Sequence, residues 1–347
     1  MMHASTVKFS SGKFIYGVTA SFTAKNHNFN SERDVFHFDS SQVGHTFKNT
    51  KANRPASGQD AFFVSRVGNT SDIALGIADG VGGWGEMGVD PADFAHGICE
   101  NLAHAASTYD PETWGPKFDP QGLLQRGYDD LCRDDSVTAG SSTACVVVAR
   151  ENGLMEIANL GDSGFLHLSM GAIHSYSNPQ THDFNTPYQL SIIPKCVRMK
   201  GLTYGAPYIQ DSPTNAEVSQ SHLRNGDVLV LGSDGIWDNL SGSDTLNIVT
   251  AIMLKAKAWE QTPDGIKVGR SLINLLGSRG VFRHITSNTL QSSLAVNITA
   301  EAKAASMNEK RNGPFAIQAK EYFPEGGWTG GKVDDICVIV AVACEIT

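Results

Sequence analysis

Nowhere in its 347 residues does the chain carry the roughly 18 consecutive apolar residues that a membrane-crossing helix needs, so no membrane span is expected. Paired cysteines are missing too. The six cysteines, at 99, 132, 145, 196, 337 and 344, include no C-x-x-C, which argues against a zinc knuckle or a thioredoxin-type motif. Several lie in apolar runs, as in TACVVVA and DICVIV, and read as buried free thiols of a reducing compartment. Positive charge is short. Lys and Arg total 27 against 36 Asp and Glu, and the formal net charge of −9 argues against a nucleic-acid binder. The opening MMHASTVKFSSGKF lacks arginine and resembles neither a secretory signal nor a convincing transit peptide. No internal repeat and no low-complexity linker breaks the chain, so one domain is expected rather than two.

What is present is a grouped pattern of elements. Strand-like runs fall at 13–22, 60–67 and 72–79, the last two separated by a Gly-Asn turn signal. Helical periodicity follows from Pro91, with Asp90 as its cap, and again over 120–133. Strands return at 142–150, 154–160 and 164–169, with Asn152-Gly153 as a hairpin turn between the first two. Residues 170–225 read as loop-rich, with FNTPYQLSIIP apolar enough to pack as a flap. After the strand at 227–235 come helical patterns at 243–260, 266–278 and 287–309, then a last strand at 335–343. Strands come in consecutive groups and helices in pairs. That favours an α+β domain of antiparallel sheets with helices packed outside, not regular β-α-β alternation.

Aspartate recurs where these strands end. Asp79 and Asp234 each close an apolar run and precede glycine; Asp334 opens the last strand, Asp60 opens another, and Asp162 sits in the turn of NLGDSGF. Carboxylates near a core need a partner or a cation. If they converge they repel one another, and their pKa values rise unless a cation compensates. With no His-rich or Cys-rich pattern, that cation is expected to be hard, Mg²⁺ or Mn²⁺ rather than zinc. Two such ions bridged by one carboxylate make a hydrolytic site for phosphate esters. The glycine after Asp79 would let a backbone carbonyl approach the metal with no side chain in the way.

At these residues the sequence resembles a known family. GQDAFF, ADGVGGW, GSSTACVVV, NLGDSGF, GSDGIWDNL and GGKVDDICVIV are similar, in order, to the motifs of the metal-dependent PPM (2C-type) serine/threonine phosphatases, over about residues 55–345. FNTPYQLSIIP and GVGGW further resemble the branch with mitochondrial members in fungi and animals. The resemblance implies a four-layer α-β-β-α sandwich over 55–347, with the N-terminal strand and polar segment of 1–54 only partly in the fold. It implies two tightly bound Mn²⁺ or Mg²⁺ ions and a weaker third. Asp79 would bridge the first two and the Gly80 carbonyl would bind the first, while Asp234 and Asp334 would bind the second. Asp162 and Asp238, with Asp234 shared, match the third site. Asp60 matches a carboxylate that orders the attacking, metal-bridging water or hydroxide. Arg54 is the candidate phosphate-binding arginine. The substrates would be phosphoproteins, the enzyme a monomer, and its location mitochondrial. Two departures stand out: Gln59 where relatives often carry Glu, and Val81 where many carry a histidine general acid. His96 and His182 are substitutes for that acid.

Other readings compete. Gly80, Gly82 and Gly85 satisfy G-x-G-x-x-G, the dinucleotide fingerprint, but Asp79 would then face a pyrophosphate and the helix signal starts only near Pro91. Gly161-Asp162-Ser163-Gly164 superficially matches a serine-protease nucleophile turn, without an evident His or acid partner. No cysteine has an arginine six positions later, which disfavours cysteine-based phosphatase chemistry. A catalytically impaired member of the fold, acting as a binding module, is the remaining alternative.

Overall fold

The last strand, Ile336–Ile346, is buried over nine successive residues. A strand half-covered by solvent would alternate, so both of its faces must be packed. They are packed differently. Ile336, Val338, Val340 and Val342 join one apolar cluster, and Cys337, Ile339, Ala341 and Ala343 another. The computed structural model describes residues 12–38, 54–115, 117–204, 208–277 and 289–346, and this strand lies well inside a six-stranded antiparallel sheet. The order there is Val35–His37, Lys13–Thr23, Ile336–Ile346, Val228–Gly232, Gly164–Ser169, Ala172–Tyr176. A five-stranded antiparallel sheet runs Glu217–His222, Leu154–Leu160, Ala144–Ala149, Ile73–Asp79, Asp60–Arg66.

Three apolar layers account for four structural ones. Between the sheets lie Val18, Phe62, Leu75, Ile77, Val147, Ile157, Leu231 and Ile339. Outside the five-stranded sheet, Phe94, Ile98 and Leu102 of helix Pro91–Ser107 and Leu123 and Leu124 of helix Pro120–Leu131 cover Ala74, Val146 and Ala158. Outside the six-stranded sheet, Val249 and Met253 of helix Gly242–Lys255 and Leu294 and Ile298 of helix Leu290–Ser306 cover Val230 and Val340. The expected α-β-β-α sandwich is the fold. The helices begin where short polar side chains can satisfy their open N–H groups. Asp90 accepts from Ala92 ahead of Pro91, Asp119 accepts from Gly122, and Ser241 and Asp244 form a capping box.

Some expected elements differ. The helix foreseen at 243–260 ends at Lys255. The one foreseen at 266–278 is instead the hairpin Trp259–Thr262 with Gly265–Val268, followed by a single turn, Leu272–Leu275. Thr262-Pro263-Asp264-Gly265 carries the turn chemistry that makes the hairpin, and Gly265 adopts φ 119°. The stretch 170–225, read as loop-rich, contains two edge strands, Ala172–Tyr176 and Glu217–His222. Their sequences are polar because an edge strand shows a face to water. The segment 278–288, which overlaps two expected helices, lies outside the described residues.

The antiparallel ladders also bear on the glycine-rich stretch. Ile73–Asp79 pairs antiparallel on both sides, and a 3-10 turn, Gly82–Met87, precedes the helix. No parallel βαβ unit exists there to seat a dinucleotide.

Candidate metal centre

Register brings the aspartates together. Asp60 opens its strand directly opposite Asp79, which closes the neighbouring one. In the other sheet, Gly232 stands opposite both Gly164 and Val338, so the chain segments carrying Asp234, Asp162 and Asp334 leave from the same rung. The two sheets thus present five carboxylates along one edge. Their mutual influence is direct. Burial, then Asp234, Asp60, Asp334 and Asp162, push the Asp79 carboxyl well above the usual carboxylate range. Burial and then Asp335 do the same to Asp60, with Asp234 and Asp334 adding to the effect. Asp162 is pushed up to about 7 and Asp238 to about 8, in both cases by burial first and Asp234 second. Asp334 also rises, through burial and Asp234.

A break in a strand holds Asp79. The expected strand 142–150 is interrupted at Thr143, between Gly140–Ser142 and Ala144–Ala149. There the Asp79 N–H donates to Thr143 Oγ1 at 3.2 Å and the Thr143 N–H donates to the Asp79 carbonyl at 3.0 Å. Thr143 Oγ1 lies 2.7 Å from Ser163 Oγ, which is buried. Ser163 is therefore a brace in the core and no exposed nucleophile. Gly80 is required by space. A Cβ there would lie 2.6 Å from the Pro91 carbonyl oxygen and 2.9 Å from that of Gln59. Its backbone, pinned by an N–H bond to Gln59 O at 3.1 Å, can approach a ligand as closely as a peptide allows.

Asp60 is 1% exposed. Its Oδ2 accepts from Ser233 Oγ at 2.6 Å, while Oδ1 has no partner among the described residues; neither has Asp162 Oδ1. Buried oxygens without donors, beside carboxylates that raise one another's pKa, are what a hard cation relieves. All the donors are oxygen, which fits Mg²⁺ or Mn²⁺. Among the described residues no three of these side chains already close on one point as an ion cage. An ion here would complete its shell with water, as Mg²⁺ commonly keeps several waters.

The other expected residues fall as follows. Arg54 ion-pairs with Asp93 at 2.6 Å and Asp90 at 3.6 Å, at the start of helix Pro91–Ser107. His96 is buried, and its pKa falls to about 4, through burial and then Arg54; a neutral imidazole cannot serve as an acid near pH 7. His182, two residues before the flap, shares a 2.9 Å contact with Asp211 and stacks on Tyr188. Val81 uses its N–H to hold Ser141 O at 3.0 Å.

Two residues escaped the sequence reading. Asp335, beside Asp334, accepts from the backbone N–H groups of Lys25 at 2.7 Å and Gln59 at 2.9 Å, and so sets the turn before Asp60. Its signal was the tandem Asp-Asp, of which only the first was read. Lys332 was passed over inside GGKVDD. Its ammonium reaches Asp234 and Asp238, both at 2.6 Å, and Asp334 at 3.2 Å. Burial lowers its pKa, but Asp234, Asp238 and Asp334 more than offset that, so the net shift is upward.

Comparison with known proteins agrees with the geometry. "Protein phosphatase PTC7 homolog fig" of Drosophila ananassae is 33% identical over 294 residues, covering 84% of this chain and 74% of that protein. "5-azacytidine resistance protein azr1" of Schizosaccharomyces pombe is 33% identical over 287 residues, covering 82% of this chain and 81% of its own. Among solved structures, the photosystem II phosphatase PBCP matches the fold with a TM-score of 0.58 at 24% identity, over 84% of this chain and 92% of that one. No family model matches the chain. A third of its residues shared with PTC7-type phosphatases over most of its length, on the fold of a phosphatase, identify the chain as a member of the metal-dependent PPM (2C-type) protein phosphatases.

Proposed function

We propose that this protein serine/threonine phosphatase works with two ions, Mn²⁺ or Mg²⁺, seated on the carboxylates at the shared edge of its two sheets. Asp79 and the Gly80 carbonyl would hold the first, and Asp79, Asp234 and Asp334 would hold the second. The observation that carries this reading is the mutual pKa elevation of Asp79, Asp60, Asp162 and Asp334 at strand ends that face one another. Such ions, when bound, acidify water and neutralise the oxygens of a phosphate ester.

The chain's own residues do the rest. Asp60 keeps one oxygen on Ser233, and its other oxygen, without a partner among the described residues, would accept a hydrogen bond from water and orient it. Thr143 fixes the backbone at Asp79 from both its donor and its acceptor side. Gln59 keeps its backbone N–H on Asp335, and its neutral side chain lies near Gly82. Val81 has no proton to give, so the leaving serine or threonine takes its proton from water or from another side chain. Arg54, reaching out from its pairs with Asp90 and Asp93, is the proposed phosphate contact.

The protein is proposed to act as a monomer on phosphoprotein substrates. Its likeness to the branch with mitochondrial members motivates a mitochondrial location. Light scattering tests the first point and cell fractionation the second. For the chemistry, hydrolysis of p-nitrophenyl phosphate and of a phosphothreonine peptide is measured after chelation and again after return of Mn²⁺ or Mg²⁺. Turnover that survives chelation, or that Asp79→Asn leaves intact, refutes the reading.

A further inference from the structure

Lys332 is placed with more care than a surface lysine. Its backbone is clamped from both sides by buried Asn239: the Lys332 N–H donates to Asn239 Oδ1 at 2.9 Å, and Asn239 Nδ2 donates to the Lys332 carbonyl at 2.8 Å. Its side chain is 18% exposed. The ammonium donates to Asp234 Oδ2 and Asp238 Oδ2 at 2.6 Å each and to Asn185 Oδ1 at 3.2 Å, and lies 5.0 Å from the centre of the Phe315 ring. Asp334 Oδ2 lies 3.2 Å from the same ammonium, and Asp162 feels its charge without a direct contact. A lysine normally keeps its head in water and its rotamers free. Here three carboxylates, an amide and an aromatic face hold one ammonium in one place. The two short contacts fall on the oxygens that a cation between Asp234 and Asp238 would use.

We propose that Lys332 is a built-in cation. Its ammonium fills the position among Asp162, Asp234 and Asp238 that a third, weakly held metal ion would otherwise take, so that the enzyme runs on two ions and a lysine. This rests on the two-ion reading above. An ion seated between Asp234 Oδ2 and Asp238 Oδ2, at the roughly 2.0–2.2 Å of a metal–oxygen bond, would stand against the positive charge, whereas the second ion of the two-ion reading would take Asp234 through its other oxygen. A covalently attached charge is not diluted away, so it competes for this position at every metal concentration. Asn185 is the flap's contact with the same ammonium, which fixes the flap over the site without a metal bridge.

The test is a metal count on the full chain. Protein stripped with EDTA is dialysed against graded Mn²⁺ up to millimolar, and bound metal is measured by mass spectrometry and by the loss of the free-Mn²⁺ electron-spin signal. The expected result is saturation at two ions for the wild type, three for Lys332→Met, and two again for Lys332→Arg, which restores the charge. A wild type that takes up a third ion overturns the proposal, whether or not Lys332→Met folds. So does a folded Lys332→Met that stops at two. A wild type that binds no Mn²⁺ at all instead removes the two-ion reading on which the proposal stands.

Discussion

Stripping the metal should make this protein lose stability as pH rises from 6.5 to 8. The perturbation is chelation, and the groups responsible are Asp162 and Asp238, raised to about 7 and about 8 in the folded chain. In the unfolded chain an aspartate titrates near 4. Between these values the folded state holds protons that the unfolded state has released, so stability is present at the acid side and falls with pH. The two carboxylates interact, so the cluster is treated as retaining about one extra proton. One proton is worth about 1.4 kcal/mol per pH unit, or about 2 kcal/mol over the window. Asp60, Asp79 and Asp334 are raised as well, so any proton they keep in the folded chain acts in the same direction. His96 and His37 are lowered by burial and contribute the opposite slope, which fades over about one unit above their ordinary pKa of 6.5, so the interval from pH 7.2 to 8.0 is the decisive one. The buried thiols of Cys99 and Cys145 are raised, so their contribution begins above their ordinary value of 9.0. Urea unfolding in EDTA at pH 6.5, 7.2 and 8.0 measures the slope. Saturating Mg²⁺ should erase it, because the ions hold the carboxylates ionised throughout, and should add about 3 kcal/mol at a hundredfold excess over Kd. A chelated protein whose stability is flat or rises over this window refutes the crowded-carboxylate account.

Further outcomes follow from the same contacts. Asp79→Asn should lower turnover of p-nitrophenyl phosphate by roughly a thousandfold, the scale for losing a central electrostatic element, and yet stabilise the chelated protein in thermal melts. Gly80→Ala drives a Cβ into two backbone carbonyls at 2.6 and 2.9 Å, so about 1–3 kcal/mol of stability should go, together with tight metal binding by calorimetry. Asp335→Ala leaves the Lys25 and Gln59 N–H groups without their acceptor and should cost about 2–4 kcal/mol in denaturant melts. Alkylation of the exposed Cys132 and Cys196 should leave turnover unchanged, whereas chelation abolishes it; the reverse pattern would point to thiol chemistry.

Much of the site was legible because its physics is local. An apolar run that stops at Asp-Gly can be read without knowing its neighbours, and Asp79 and Asp234 carry that mark. Their convergence was inferred only from repetition, and the antiparallel register of Asp60 with Asp79 is what supplies it. Lys332 and Asp335 were not legible, because their roles depend on partners between 94 and 310 residues away in sequence. The hairpin at 259–268 was missed for a different reason. Its Pro-Asp-Gly turn was present, but the apolar spacing around it suits a helix as well, and burial of Trp259, whose Nε1 donates to Gly226 O at 2.9 Å, decides between them. The polar strand Glu217–His222 was hidden because an edge position removes the alternation that marks a half-buried strand.

Lys13 stands opposite Ile346, and eleven rungs join these two strands. That pairing has a consequence in time. Asp60, Asp79 and Asp162 leave the ribosome early and Asp334 late, and Asp334 reaches the others only once Ile336–Ile346 has paired beside Lys13–Thr23. Contacts of such long sequence separation form slowly, because a large loop must close first. Asp334 therefore joins the other carboxylates last. A growing chain has no finished seat on which to trap ions, and the crowding of negative charge that opposes assembly arises only at the step where ions can relieve it. Refolding with Mn²⁺ present should then raise the yield of folded protein over refolding in EDTA.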